Sequence, residues 1–150
     1  MRIDWDKQIA KQIGNIQLSD SEQKLLALVY NSIVGNYDPS KSHRIVRMLL
    51  YSYEVHIQTK EFKKEIGIKS ATEIDELYLS LDKKMRFTCG RPTGKEDFQS
   101  FIILSGYSFS SNHMEFYVTE RFIPMMQRYI KELVKPEYIE FLPLSEVFIV

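Results

Sequence analysis

The chain has 150 residues, of which 44% are hydrophobic and 27% charged, and its 20 basic side chains are matched by 20 acidic ones. That composition belongs to a globular chain, and the balanced charge excludes an overall field driving it onto nucleic acid or membrane. Cys89 is the only cysteine, so an intrachain disulfide and a multi-cysteine zinc site are both excluded and a reducing cytoplasm is the expected compartment.

Met1-Arg2-Ile3-Asp4-Trp5-Asp6 carries acid where the apolar core of a signal peptide would begin, so none is expected. No run reaches the roughly 18 apolar residues of a membrane span. With no internal repeat and no linker rich in Pro, Gly or Ser, residues 1–150 read as a single domain. Its charge is uneven: residues 1–58 sum to +1, residues 59–95 to +3 and residues 96–150 to −4. A neutral whole thus conceals a basic middle and an acidic final third.

In chain order, Ile9, Ile13 and Ile16 have the spacing of a short amphipathic helix. Ser19-Asp20-Ser21-Glu22 is a capping box, opening a helix over 19–35 with Leu25, Leu26, Leu28, Val29 and Ile33 inward and Gly35 as its stop. Residues 42–53 are expected to form a second helix, with Ile45, Val46, Leu49 and Leu50 inward. Glu54–Gln58 alternates like a strand. Thr59 caps a short helix over 60–66 that ends at Gly67. Ser70-Ala71-Thr72-Glu73 is another capping box, and Ile74, Leu77, Tyr78 and Leu81 give its helix, 71–84, one inward face.

A hairpin is expected over 85–107, with Gly90–Asp97 as its loop and Phe98–Tyr107 as its return strand. Met114–Val118 is a further strand. Thr119 caps a helix over 120–134, closed by Pro136. Strand, helix, turn, helix and hairpin in that order predict an α+β winged helix-turn-helix with flanking helices, the hairpin being the wing. The expected core is Leu25, Leu28, Val29, Leu49, Ile57, Phe62, Ile66, Ile74, Leu77, Leu81 and Phe101.

Lys83, Lys84, Arg86, Arg91 and Lys95 fall within one stretch that contains no acid, running from the second helix of the pair into the wing. Cations on elements that can follow a backbone are what phosphate contacts require. Arg44 and Arg47, with Lys41, would extend this patch. In the helix pair, Lys69 is placed for a phosphate, and Ser70 and Thr72 for bases. Glu73, Asp75 and Glu76 at the same helix start oppose deep insertion into the major groove, so backbone contacts are expected to dominate. A helix C-terminus alone favours Lys83 and Lys84, but not Arg91 or Lys95.

Leu18-Ser19-Asp20-Ser21-Glu22-Gln23-Lys24-Leu25-Leu26 resembles the opening of plasmid replication initiators of the Rep type. Thr59–Leu81 is similar to the strand-led helix pair of that family's first winged-helix domain. So is Val118-Thr119-Glu120-Arg121-Phe122-Ile123-Pro124 with the helix behind it. The resemblance covers residues 18–134. It implies a domain that makes dimer contacts and DNA-backbone contacts, while direct reading of origin repeats falls to a second domain. Such initiators carry two tandem winged helices and are usually basic, whereas this chain is neutral and fits one. The resemblance therefore implies a lone initiator N-terminal domain, or a relative without the second half.

Chemistry-bearing motifs are sparse. Gly90-x3-Gly94-Lys95 is one residue short of a phosphate-binding loop, has Glu96 in place of Ser or Thr, and joins two strands. His43, His56 and His113 have neither an i, i+4 partner nor a carboxylate at ligand spacing, so no metal site is expected. Cys89 lies near Arg86 and Arg91, which would lower a thiol pKa, but a sole wing cysteine reads as inert. The expectation is a non-enzyme without cofactor, membrane or small-molecule substrate, whose partner is duplex DNA. The alternative is a winged helix that binds protein. The apolar run at the end of 137–150 requires a packing partner, either as a final strand of its own domain or in a homodimer.

Overall fold

The computed structural model describes residues 5–35, 45–90 and 98–140. The chain is α+β. Its elements are α1 (Trp5–Gly14), α2 (Asp20–Gly35), β1 (Ile45–Met48), β2 (Ser52–Gln58), α3 (Thr59–Ile66), α4 (Ala71–Lys84), β3 (Arg86–Gly90), β4 (Phe98–Ile102), β5 (Leu104–Phe109), β6 (His113–Thr119) and α5 (Phe122–Leu133), with a 3-10 turn at Pro136–Tyr138. An antiparallel sheet has the order β1-β2-β6-β5, and β3 and β4 pair separately.

The first capping box forms in full, and the second forms only its Ser70 arm. Ser19 N–H donates to Glu22 Oε1 at 2.9 Å and Glu22 N–H returns to Ser19 Oγ at 3.2 Å. Ser70 Oγ accepts from Glu73 N–H at 3.2 Å. Each box satisfies backbone donors that the first helical turn leaves open. From Leu25 to Ile33 α2 is buried on every side, beyond the expected stripe, because sheet, α3, α4 and α5 all pack around it. Its polar members are provided for. Asn31 donates to Tyr138 O at 2.9 Å and accepts from Glu140 N–H at 3.0 Å, and Ser32 Oγ donates to Leu28 O at 2.6 Å.

The sheet's two faces follow from period-2 alternation. Val55 and Ile57 of β2 and Met114, Phe116 and Val118 of β6 are buried against the helices. Glu54, His56, Glu115 and Tyr117 are only half-buried on the other face. Gly106 lies at a bulge where the β5–β6 register shifts, with φ of 155°. Gly67 ends α3 at φ 80°, its N–H donating to Lys63 O, as a helix stop requires.

Three expected elements are corrected. Residues 45–53 are not helical: β1 pairs with β2 from Ile45↔His56 to Met48↔Tyr53, and Leu49 N–H donates to Ser52 O at 2.8 Å across the turn. The β-branched Ile45 and Val46 fit a pleated edge, and Leu49, expected in the core, is 44% exposed. The return strand 98–107 is divided. Ile103 and Leu104 are both buried, which a single alternating strand cannot achieve, and the chain passes there from the β3–β4 pair into the larger sheet. Thr59 and Thr119 are not caps. Thr59 Oγ1 donates to Ser110 O at 2.9 Å and Thr119 Oγ1 to Ile102 O at 3.0 Å, so one hydroxyl ties the start of α3 to the β5–β6 turn and the other ties the end of β6 to the end of β4.

The remaining expected core is buried, except that the side chain of Phe101 lies outside the described residues. Gly35 is still helical, and residues 36–44 lie outside the described residues, as does the tail from 141. In α1, Ile13 is buried, and Gln12 lines the β3 edge, donating to Thr88 O at 2.7 Å and accepting from Thr88 N–H at 3.0 Å.

Phe116 is the side chain on which sheet and helix pair converge, its ring centroid 5.5 Å from that of Phe62 on α3 and 6.5 Å from that of Tyr78 on α4. Phe116→Ala is expected to cost about 3–5 kcal/mol, read as a lowered urea midpoint with an unchanged slope. A loss below about 1 kcal/mol would contradict this packing.

Candidate nucleic-acid interface and the outer face of the sheet

The α3–turn–α4 unit presents Lys69, Ser70 and Thr72 at the start of α4, all exposed. Ser70 is engaged in its cap, its hydroxyl also meeting Glu73 Oε1 at 3.2 Å. Asp75 accepts the Tyr107 hydroxyl from β5. Partial burial, then that bond to a carboxylate, raises the Tyr107 phenol to about 12. Two of the three acids at this helix start thus serve the helix and its seat on the sheet, and Glu76 is exposed.

The expected cationic cluster separates. Lys84 Nζ lies 2.7 Å from Glu22 Oε1, whose side chain is only 3% exposed. Arg86 pairs with Asp82 at 2.9 Å one turn earlier, and Arg47 lies 3.6 Å from Glu54 on the neighbouring strand. Lys83 is exposed, while Arg44, Arg91 and Lys95 lie outside the described residues. Lys84 and Arg86 therefore have intramolecular counterions, which the acid-free run of sequence does not reveal.

A further basic group, separate from the expected cluster, lies on α3. Lys60 and Lys64 are exposed on α3, and Lys63 Nζ lies 6.0 Å from the Phe109 ring centroid at the end of β5. The β5–β6 turn, Ser110-Ser111-Asn112, is exposed beside them and holds the start of α3 through Thr59 N–H to Asn112 O at 3.2 Å. Lys69, in the turn between α3 and α4, is exposed as well.

The outer face of the sheet gathers a second group. His56 on β2 stands opposite Glu115 on β6, and His113 precedes Glu115 by two residues on the same face. His56 Nδ1 is 3.0 Å from His113 Nε2 and 3.6 Å from Glu115 Oε1, and His113 Nε2 is 3.3 Å from that same oxygen. The Tyr117 hydroxyl donates to Glu115 Oε2 and, against some desolvation, holds this carboxyl below its usual range. The expectation that no histidine has a carboxylate within ligand reach is thereby corrected for His56 and His113. Strand register, invisible to linear spacing, brings them together. His43 lies outside the described residues.

No protein family, no curated protein and no solved structure matches the chain. Among the described residues, no helix is long and apolar enough to cross a membrane.

Burial pushes the Glu22 carboxyl up, but the Lys84 ammonium and the Ser19 hydrogen bonds outweigh it, and the group titrates below its ordinary 4.5. Its stabilising contribution is complete above that value and is lost as pH falls through the lowered one. Lys84→Ala should cost about 1–3 kcal/mol at neutral pH by stranding the carboxylate, whereas Arg86→Ala should stay within about 0.5 kcal/mol. In denaturant melts, Glu22→Gln should flatten the fall in stability below pH 4.5. Equal losses for Lys84→Ala and Arg86→Ala would refute the distinction.

Proposed function

We propose that this chain is a winged-helix domain similar to the first domain of plasmid replication initiators, and that it binds duplex DNA chiefly through backbone phosphates. The observation that carries this reading is the position of β6. A strand (β2), a helix pair (α3, α4) and a hairpin (β5, β6) follow in order, and the hairpin's second strand lies between its first and β2. This order supports a winged-helix reading. On this reading the wing is the β5–β6 hairpin, and β3–β4 is an additional hairpin inserted before it.

On this reading the phosphate-binding groups are Lys60, Lys63, Lys64 and Lys69 with the Ser110–Asn112 turn; Lys83 is a further exposed cation, and Arg91 and Lys95 are expected contacts that lie outside the described residues. Exposed ammonium groups and hydroxyls suit backbone contact without base readout. The reading assigns no catalytic group.

A second reading, a module that binds protein or a second copy of itself, has its own observation. Met48, Leu49, Leu50 and Tyr51 at the β1–β2 tip are all exposed, Leu50 at 83%. A homodimer built on that tip would sediment at about twice 17.7 kDa.

Gel shifts at low salt with random and origin-like duplexes test the first reading. Binding is expected at roughly micromolar concentration, weakening steeply with salt. Lys60→Ala/Lys64→Ala should weaken it on all sequences alike and lower the log–log salt slope by about 2. Arg91→Ala should act in the same sequence-independent way. No shift at roughly 100 μM protein would reject DNA binding, and a salt-resistant dimer lost in Leu50→Asp would favour the second reading.

A further inference from the structure

We propose that His56, His113 and Glu115 form a binding site for a divalent transition-metal ion, zinc first among them, on the outer face of the sheet. The shape of the three donor atoms supports it. Their separations, 3.0, 3.3 and 3.6 Å, average 3.3 Å. Around zinc, with bonds of about 2.0–2.1 Å to His nitrogen and carboxylate oxygen, neighbouring tetrahedral ligands stand about 3.3–3.4 Å apart. The triangle His56 Nδ1, His113 Nε2, Glu115 Oε1 thus has the size of one face of that tetrahedron. All three residues offer a ligand atom within 4.8 Å of the other two.

The surroundings complete the arrangement. His56 Nε2 is buried without a hydrogen-bond partner among the described residues, and it lies 3.4 Å from Glu54 Oε2. A proton on Nε2, facing that carboxylate, leaves the Nδ1 lone pair for the metal, as in the carboxylate–histidine pairs behind zinc ligands. Arg47, 3.6 Å from Glu54, steadies the carboxylate in turn. Glu115 offers Oε1 while Oε2 accepts from Tyr117. The His113 side chain is 45% exposed, which leaves the fourth position open to water or to a ligand from outside. Two imidazoles and a carboxylate select zinc, copper, nickel or cobalt over magnesium and calcium, which take oxygen donors.

The same atoms also stand within hydrogen-bond distance of one another, His56 with His113 and His113 with Glu115. A pure hydrogen-bond cluster is therefore the competing account, and it predicts no metal dependence.

The test uses the full chain, stripped with chelator and titrated with Zn²⁺ by calorimetry at neutral pH. One zinc per chain is expected, with a thermal midpoint about 5–10 °C higher at a hundredfold excess over Kd. Co²⁺ should give the visible bands of a tetrahedral site, and Mg²⁺ should change nothing. His113→Ala, at the most exposed ligand, should fold without metal and lose both heat and midpoint shift. Glu54→Gln should weaken zinc about 10- to 100-fold as a positioning residue. Absence of one-to-one binding in the wild type would overturn the site. So would undiminished binding in both His113→Ala and Glu115→Gln, which would place the zinc elsewhere.

Discussion

The fold depends on the pairing of β2 with β6, seven rungs from Ser52↔Thr119 to Gln58↔His113. The two strands are far apart in sequence, so closing them is the costly step in ordering the chain. Once made, the ladder divides side chains by parity. One set, Val55, Ile57, Met114, Phe116 and Val118, is turned toward α2 and the helix pair. The other, Glu54, His56, His113, Glu115 and Tyr117, is turned away. A slip of one residue would put carboxylates and imidazoles into the core and Phe116 into water, so the register is strongly specified.

Charge in this protein is arranged locally rather than as a field. Glu22 is the clearest instance: one side chain caps α2, receives Ser80 Oγ at 3.1 Å and binds Lys84 at 2.7 Å, joining α2 to the end of α4. Asp20 does the same at the opposite side of the helix start, accepting from Lys135 at 3.0 Å and from Tyr138 at 2.6 Å. Exposed pairs of this kind add little individually, whereas the buried Glu22 carboxylate requires its partners. A run of lysines and arginines therefore overstates the positive charge available to a ligand, because some of it neutralises acids drawn from other elements.

Elements with local signals were legible in the sequence. Capping boxes and 3.6-residue spacing located α2 and α4, and Gly67 marked the end of α3, because such signals act within a single turn. Residues 45–53 carry an ambiguous local signal, because Ile45, Val46, Leu49 and Leu50 satisfy a helical stripe as well as they fit a hairpin. Only pairing with β2 decides between them. The break at Ile103 was hidden for a related reason: two adjacent apolar residues look like strand, and only the existence of two sheets makes them a junction. Half of the histidine–glutamate group was local, since His113 and Glu115 stand two residues apart on one strand, but the arrival of His56 was beyond linear reading, 57 positions away from His113.

The two surfaces of interest meet at one end of the same ladder. The last rung pairs Gln58 with His113, and the next residue, Thr59, begins α3. Thr59 is itself fastened to the β5–β6 turn through Ser110 O and Asn112 O. His113 N–H donates to Ser110 Oγ at 3.0 Å in that same turn. The turn is thus held from one side by the first residue of the lysine-bearing helix and from the other by a member of the outer cluster. Fixing His113 against His56 restrains the terminal rung, which is where strands fray first. The direction in which α3 leaves the sheet is set by that rung. The outer face and the helix pair consequently share one fastening of a few residues, at Thr59, His113 and the Ser110–Asn112 turn.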